Sequence, residues 1–160
     1  MRGKRAKRRT LKIDSRYSNP IIARFITKVM QDGKKSTAEA LVYRAIESGA
    51  EIAKEKDVVL FVNKAIDAVR PALEIKARRV GGANYQVPMP VSPRRQETLA
   101  VRWIVDISRK KSGNSFDKIL ANELVNAYKG EGDAVRKKEE TERMAETNKA
   151  FAQKKREPNI

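Results

Sequence analysis

The chain has 160 residues, a length that suits one domain, and its 36 Lys and Arg against 20 Asp and Glu give a formal net charge of +16. A small protein with that charge repels itself unless it binds a polyanion, so nucleic acid is the favoured partner. The chain contains no Cys and no His, which excludes disulfides, thiolate zinc sites and the Ser-His and Cys-His nucleophile arrangements. We therefore expect no catalytic site, no metal and no cofactor.

The N-terminal segment is strongly basic. Residues 1–12 contain no acidic residue, which predicts an arm that is disordered when free and contacts RNA. The segment lacks the apolar stretch of a signal peptide and any lipidation motif, so we expect neither secretion nor a membrane partner. A localisation signal or a nonspecific tail is the alternative. The seven cations of the arm are Arg2, Lys4, Arg5, Lys7, Arg8, Arg9 and Lys12.

Two helices are predicted directly after the arm. Asn19 can cap the first, Pro20 suits its first position, and the apolar period ends near Gly33. Ser36 and Glu39 stand at capping-box spacing, which predicts that the second helix starts there.

A third helix and a β-ribbon follow. The helix is predicted from Asp57 up to Pro71, whose ring prevents it from continuing. Between residues 74 and 91 the helical period disappears, and β-branched and aromatic residues flank the string GGAN, which predicts a hairpin. Pro88 and Pro90 cannot donate ladder hydrogen bonds, so the second strand is an edge strand or ends soon.

The last third of the chain is again helical in pattern. Ser92, followed by proline, predicts the start of a fourth helix, and Ser115 predicts the start of a fifth. From Ala134 onward the sequence favours helix but is mostly charged, and its large apolar residues are Met144 and Phe151. We therefore expect this last helix to lie on the surface or on a neighbour and, like the arm, to order only on RNA binding.

These elements predict a mainly α protein. We expect a single helical domain of about six helices with a protruding two-stranded β-ribbon, a basic N-terminal arm and a charged C-terminal helix. The predicted division is an RNA-binding arm at residues 1–16, a helical core at 17–130 with the ribbon at 74–91, and a C-terminal helix and tail at 131–160.

The positive charge is concentrated in two elements. The arm carries seven of the sixteen net charges and residues 74–95 carry four more. Arg and Lys bind phosphate, two glycines at a turn let a backbone approach closely, and the ring of Tyr85 offers a base a stacking surface. The candidate RNA contacts outside the arm are Lys34, Lys35, Lys76, Arg78, Arg79, Gly81, Gly82, Tyr85, Arg94, Arg95, Arg109, Lys110 and Lys111.

Plainer interpretations of these residues stay open. The ribbon arginines can be edge charges that prevent aggregation, Lys34 and Lys35 can be turn residues, and Trp103 stands at helical spacing that favours core packing. DNA is the other candidate polyanion, but the two helices joined by DGKKS are a weak helix-turn-helix pattern. A wide cationic surface with a projecting ribbon favours folded RNA.

Four ordered strings carry a family resemblance: DGKKSTAE, RRVGGANYQVP, LAVRWI and MAETNKAF, between Tyr17 and Phe151. In order and spacing they resemble the family of ribosomal protein seven of the small subunit, of the bacterial and organellar type. The resemblance implies a structural constituent of the small subunit that binds the 3′ major domain of small-subunit rRNA and nucleates assembly of the head. It also implies a ribbon near the exit-site tRNA and the messenger path.

The resemblance assigns roles residue by residue. Arg78, Arg79, Gly81, Gly82, Tyr85 and Gln86 match the family's ribbon motif, Lys34 and Lys35 its loop, Arg94 and Arg95 the basic start of its fourth helix, and Arg102 with Trp103 the body of that helix. The implied protein partners are ribosomal protein eleven and other head proteins of the small subunit. We expect a monomer when free, located in cytoplasmic or organellar ribosomes. The opening string and the end, AQKKREPNI, depart from the family pattern, and a nonspecific or DNA-binding basic protein remains the alternative.

Overall fold

The fold is known from a computed structural model that describes Gly3 and residues 13–80 and 83–149. Those residues form a mainly helical single unit with one two-stranded antiparallel sheet, as predicted. The division into arm, core and tail stays a prediction. The elements are α1 Pro20–Val29, α2 Lys35–Ala53, α3 Val58–Val69, β1 Leu73–Val80, β2 Ala83–Pro90, α4 Pro93–Lys110, α5 Phe116–Tyr128 and α6 Asp133–Thr147.

The starts of α1 and α3 are fixed by side-chain caps. The Asn19 Oδ1 atom accepts a hydrogen bond from the N–H of Ile21 at 2.7 Å. Asp57 Oδ1 accepts from the N–H groups of Val59 and Leu60 at 2.9 and 3.2 Å. Each cap satisfies amides that have no partner inside the helix, which confirms these two predicted starts.

The predicted capping box at the start of α2 is wrong. The helix begins at Lys35 with Lys34 at the cap position, and no side chain bonds the free amides there. Ser36 therefore already lies inside the first turn, too late to cap it. Glu39 instead pairs with Lys35, one turn earlier, at 3.2 Å between Oε1 and Nζ.

The first helix also ends earlier than its predicted end at Gly33. Met30 leaves the helical conformation with a ψ of 134°, so α1 stops at Val29. The chain then turns through Asp32 and Gly33, whose φ angles of 52° and 73° lie in the left-handed region.

The core lies where α1, α2, α3, α4 and α5 meet. Helix α5 packs against both α2 and α3, and Trp103 is partly buried against the core, as its helical spacing favoured. Gly49 on α2 allows close packing here, because a Cβ atom at this position would lie 3.0 Å from two ring atoms of Phe61. The largest fully buried side chains include Phe25, Phe61, Ile22, Ile46, Ile66, Ile104, Leu120 and Leu124.

Helix α6 packs on the core through small side chains, although its charged sequence led us to expect it only on the surface or on a neighbour. Met144 is 39% exposed, and the buried side chains of α6 are the small ones, Ala134, Val135 and Ala145. Phe151 lies outside the described residues. The sequence pattern did not indicate this packing, because small buried side chains and polar bonds attach α6 to the body where large apolar residues were expected.

A buried carboxylate holds the start of α6. Glu123 on α5 is 1% exposed. Its Oε1 atom accepts from the N–H of Ala134 at 3.0 Å, and its Oε2 atom lies 2.7 Å from Lys111 Nζ. The same ammonium lies 2.7 Å from Asp133 Oδ2. Lys111, a predicted RNA contact, therefore joins the end of α4 to α5 and α6.

The contact between Lys111 and Asp133 shifts the pKa of each group in the direction expected of an ion pair. Burial opposes the charged form of Lys111, but its bonds to Asp133 and Glu123 raise the pKa of the amine above its ordinary value. The hydrogen bond and the charge of Lys111 lower the pKa of Asp133. The lysine's stabilisation is therefore lost as pH rises through its raised pKa, and the aspartate's as pH falls through its lowered pKa.

We predict that Lys111→Met destabilises the fold by about 2 kcal/mol, because it leaves a buried carboxylate without its counter-charge. Urea unfolding measures the change, with Lys110→Met as the matched control, since Lys110 is exposed. The variant's stability should also fall less than the wild type's as pH drops below about 4, because Asp133 has lost its partner. Equal stability of the two variants at neutral pH would contradict this structural role.

Candidate nucleic-acid interface

The ribbon presents different side chains on its two faces. Residues directly opposite each other on antiparallel strands share a face, and neighbours along a strand point to opposite faces. Arg78 stands opposite Tyr85, and Arg79 stands opposite Asn84. The two arginines of the family motif therefore lie on opposite faces of the ribbon.

The face that carries Arg79 is polar and exposed towards its tip. Arg79, Asn84 and Gln86 share this face and are all exposed. The other face carries Lys76, which is exposed, and Arg78, which is half-buried with Nη2 3.7 Å from Met89 Sδ. In the described part of the chain, no carboxylate forms an ion pair with these three cations.

The predicted tip contacts fall partly outside the structure. Gly81 and Gly82, between the two strands, lie outside the described residues, as does the side chain of Tyr85.

A basic groove runs between α1 and α4. Its walls carry Arg24 and Lys28 from α1 and Arg94 and Arg102 from α4. Arg24 pairs with Glu97, and Lys28 Nζ lies 3.1 Å from Asp106 Oδ1. Thr27, Thr98 and Val101 complete the lining.

Arg94 and Arg102 differ from the two groove cations of α1. Both are exposed, and among residues 13–80 and 83–149 neither forms an ion pair. They lie two turns apart on α4 and line one groove, so they can bind successive phosphates. Sequence reasoning found this pair and missed Arg24 and Lys28, although the latter stand at i, i+4 spacing on one face of α1.

A second concavity continues the groove across α1. It is lined by the segment from Ile13 to Ser15, by α1, and by Lys35 and Glu39 at the start of α2. Arg24 and Thr27 line both depressions, so the two are neighbours. Lys34 and Lys35, predicted as loop contacts, are exposed at this end of the basic surface.

Besides Lys35, which pairs with Glu39, and Arg78, which contacts Met89, three other predicted contacts have partners inside the protein. The guanidinium of Arg109 donates to the carbonyl oxygens of Lys28 and Val29 at 3.0 and 3.2 Å, and so caps the end of α1. Arg95 pairs with Glu74 through two bonds of 3.2 Å. Lys111 holds α6, and its neighbour Lys110 is exposed.

The described chain resumes at Ile13, beside the second concavity. The predicted arm contacts Arg2, Lys4, Arg5, Lys7, Arg8, Arg9 and Lys12 lie outside the described residues. Where the described chain resumes, the buried Asp14 accepts from the N–H of Tyr17 at 2.7 Å and from the hydroxyl of Tyr43. Burial, with a hydrogen bond to Glu47, raises the pKa of Tyr17 to about 12. The Tyr17 hydroxyl donates to Glu47 Oε1 at 2.7 Å and so attaches the start of this described segment to α2.

The described ranges contain neither a membrane-spanning helix nor an acidic cluster suited to a metal ion. Within residues 13–80 and 83–149, no helix is both long and apolar enough to cross a membrane. That part of the chain also brings no three acidic side chains together in an arrangement suited to a metal ion.

The sequence resembles known proteins over most of its length. The sequence model of the family "Ribosomal protein S7p/S5e" matches residues 1–149. The chain is 51% identical over 152 residues to the small ribosomal subunit protein uS7 of Nautilia profundicola, covering 95% of this chain and 97% of that one. It is 48% identical over 150 residues to the protein of the same name from Borrelia duttonii, covering 94% and 95%. The chain therefore belongs to the ribosomal protein S7p/S5e family.

Proposed function

We propose that this protein binds the 3′ major domain of small-subunit rRNA and nucleates assembly of the subunit head. The proposed RNA surface runs from Lys34 across α1 to the groove at α4, and continues on the ribbon. As a member of its family the chain is a structural, non-enzymatic constituent of the small ribosomal subunit and resides in the ribosome.

The observation that carries the proposal is the contrast between paired and unpaired cations. Arg95, Arg109 and Lys111 are bonded inside the protein, where its helices meet one another or the ribbon. Arg94 and Arg102 line the groove between α1 and α4 and form no ion pair within the described ranges. Such side chains can exchange their counterions for RNA phosphates without disturbing the fold.

The ribbon suits a second role. Its polar face with Arg79, Asn84 and Gln86 is exposed and combines a cation with two amides that can donate to sugar and phosphate oxygens. The family resemblance supports a position of this ribbon near the exit-site tRNA and the messenger, with ribosomal protein eleven and other head proteins as neighbours. The protein is proposed to be a monomer before it joins the RNA.

The groove is tested with Arg94→Ala/Arg102→Ala. We expect about 30-fold weaker binding to an isolated 3′ major-domain RNA fragment near physiological salt, from roughly 1 kcal/mol per lost charge-assisted contact. The slope of log affinity against log salt should fall by about 2. Fluorescence anisotropy across a salt series with the full-length protein measures both quantities.

The matched control is Lys56→Ala/Lys129→Ala, which removes the same charge from exposed positions outside the groove and the ribbon. We expect this control to bind nearly as tightly as the wild type. If both double variants lose the same affinity, the groove has no special role and only net charge matters.

The ribbon is tested with Arg79→Gln. Because Arg79 is exposed and unpaired in the described part of the chain, the substitution should weaken RNA binding about 5-fold and leave the melting temperature unchanged. Gln86→Ala on the same face is the uncharged control and should have a smaller effect. A drop in melting temperature for Arg79→Gln would show that this arginine stabilises the fold instead.

A further inference from the structure

Helix α6 contacts both ends of the connection between α3 and β1. Lys138 Nζ donates to the carbonyl oxygen of Ala68, in the last turn of α3, at 3.1 Å. Glu142 Oε1 accepts from the N–H of Ala72 at 2.8 Å. The two side chains stand four residues apart, so they lie on one face of α6. This face follows the chain from the end of α3 to the beginning of the ribbon.

Both contacts satisfy backbone groups that secondary structure leaves open. The last carbonyls of a helix have no partner within it, and a cation there also complements the helix dipole, so Lys138 suits the end of α3. Pro71 has no N–H to donate, and the N–H of Arg70 bonds to the carbonyl of Ile66. The N–H of Ala72 is therefore the first free donor of the connection, and Glu142 accepts it.

The root of the ribbon has two further attachments. The carbonyl of Ala72 accepts from the N–H of Val91 at 3.1 Å, which closes the ribbon where its strands begin and end. Glu74 on β1 accepts two bonds of 3.2 Å from Arg95 on α4. Helices α6 and α4 therefore both hold the root, through separate contacts.

Beyond its root the ribbon has little support from the body. Lys76, Ala77 and Arg79 are exposed on β1, and Asn84 and Gln86 are exposed on β2. A two-stranded ribbon is only marginally stable alone, so its direction depends on contacts at its base. A small rotation at the root becomes a displacement of several ångströms at a tip eight residues away.

We propose that Glu142, with Lys138, makes α6 a strut that sets the direction of the ribbon, and that the Glu74–Arg95 pair on α4 supports the same direction. These four are positioning residues: they aim the ribbon and do not touch RNA through these contacts. The purpose of directing the ribbon rests on the proposed RNA-binding function. The coupling between α6 and the ribbon is a property of the free protein.

The coupling is measured by the distance between two spin labels on the full-length protein without RNA. The chain has no Cys, so labels attach only at the introduced cysteines Gln86→Cys on the ribbon and Ser48→Cys on α2, both at exposed positions. We expect Glu142→Ala to widen the distance distribution about twofold. Glu142→Gln keeps a carbonyl oxygen in place and should restore the narrow distribution.

Glu146→Ala is the matched control, one turn farther along α6 at an exposed position. It removes the same charge and should leave the distribution unchanged. If Glu142→Ala and Glu146→Ala give the same narrow distribution as the parent, α6 does not set the direction of the ribbon and the proposal is overturned.

A second series covers the case in which Glu142→Ala unfolds, as judged by circular dichroism. Arg95→Glu places like charges together at the root and should widen the distribution, and Arg95→Glu/Glu74→Arg re-forms the pair and should narrow it again. Lys138→Met releases the other contact of α6 and should widen it as well. A narrow distribution in both Arg95→Glu and Lys138→Met overturns the proposal. Because no RNA is present, these results do not depend on whether the proposed function is correct.

Discussion

The rest of the structure depends on how +16 net charges are kept from driving the helices apart. The fold places several carboxylates at the junctions between helices, where they pair with cations of neighbouring segments. Glu123 is the most buried of them and satisfies Lys111 and the first free amide of α6 together. Glu97 on α4 serves Arg24 of α1 and Arg70 at the end of α3. These carboxylates hold the body together and are therefore not free to neutralise other cations.

The cations that remain are those available to a polyanion. Arg94, Arg102 and Arg79 are exposed and form no ion pair within the described ranges, whereas the ammonium of Lys111 has two carboxylates within 2.7 Å. Salt screens exposed charges much more than buried pairs. Stability and RNA binding therefore rest on different side chains and respond differently to ionic strength, which lets a strongly basic chain fold before its partner neutralises it.

Sequence patterns predicted the elements whose causes are local. The caps at Asn19 and Asp57 and the prolines around the ribbon act within a few residues, so their spacing alone located helices and strands correctly. The capping box at Ser36 failed because the pattern fits a helix that starts two residues later than α2 does. Alanines and the contact of Glu123 with Ala134 hold α6 in place. No run of large apolar residues in the sequence indicates this packing.

The binding surface could be predicted only in part for a related reason. Counting cations treats all arginines alike, but the partner that removes one from the surface can be far away in sequence. Arg109 bonds to a carbonyl 81 residues earlier, and Arg95 to a carboxylate 21 residues earlier. Nothing near these residues indicates the pairing. The α1 wall of the groove was not predicted for the same reason, because Arg24 and Lys28 come close to α4 only in the folded chain.

The central claim is that this charge pattern is built for one folded RNA and is more than a polycation. The most direct measurement is binding of the full-length protein to the 3′ major-domain fragment in competition with bulk tRNA and duplex DNA, repeated across a salt series. We expect the fragment to be favoured by about a thousandfold or more, with affinity that falls steeply as salt rises. If tRNA and duplex DNA displace the fragment equally well, the cations act without regard to RNA shape and the account is wrong.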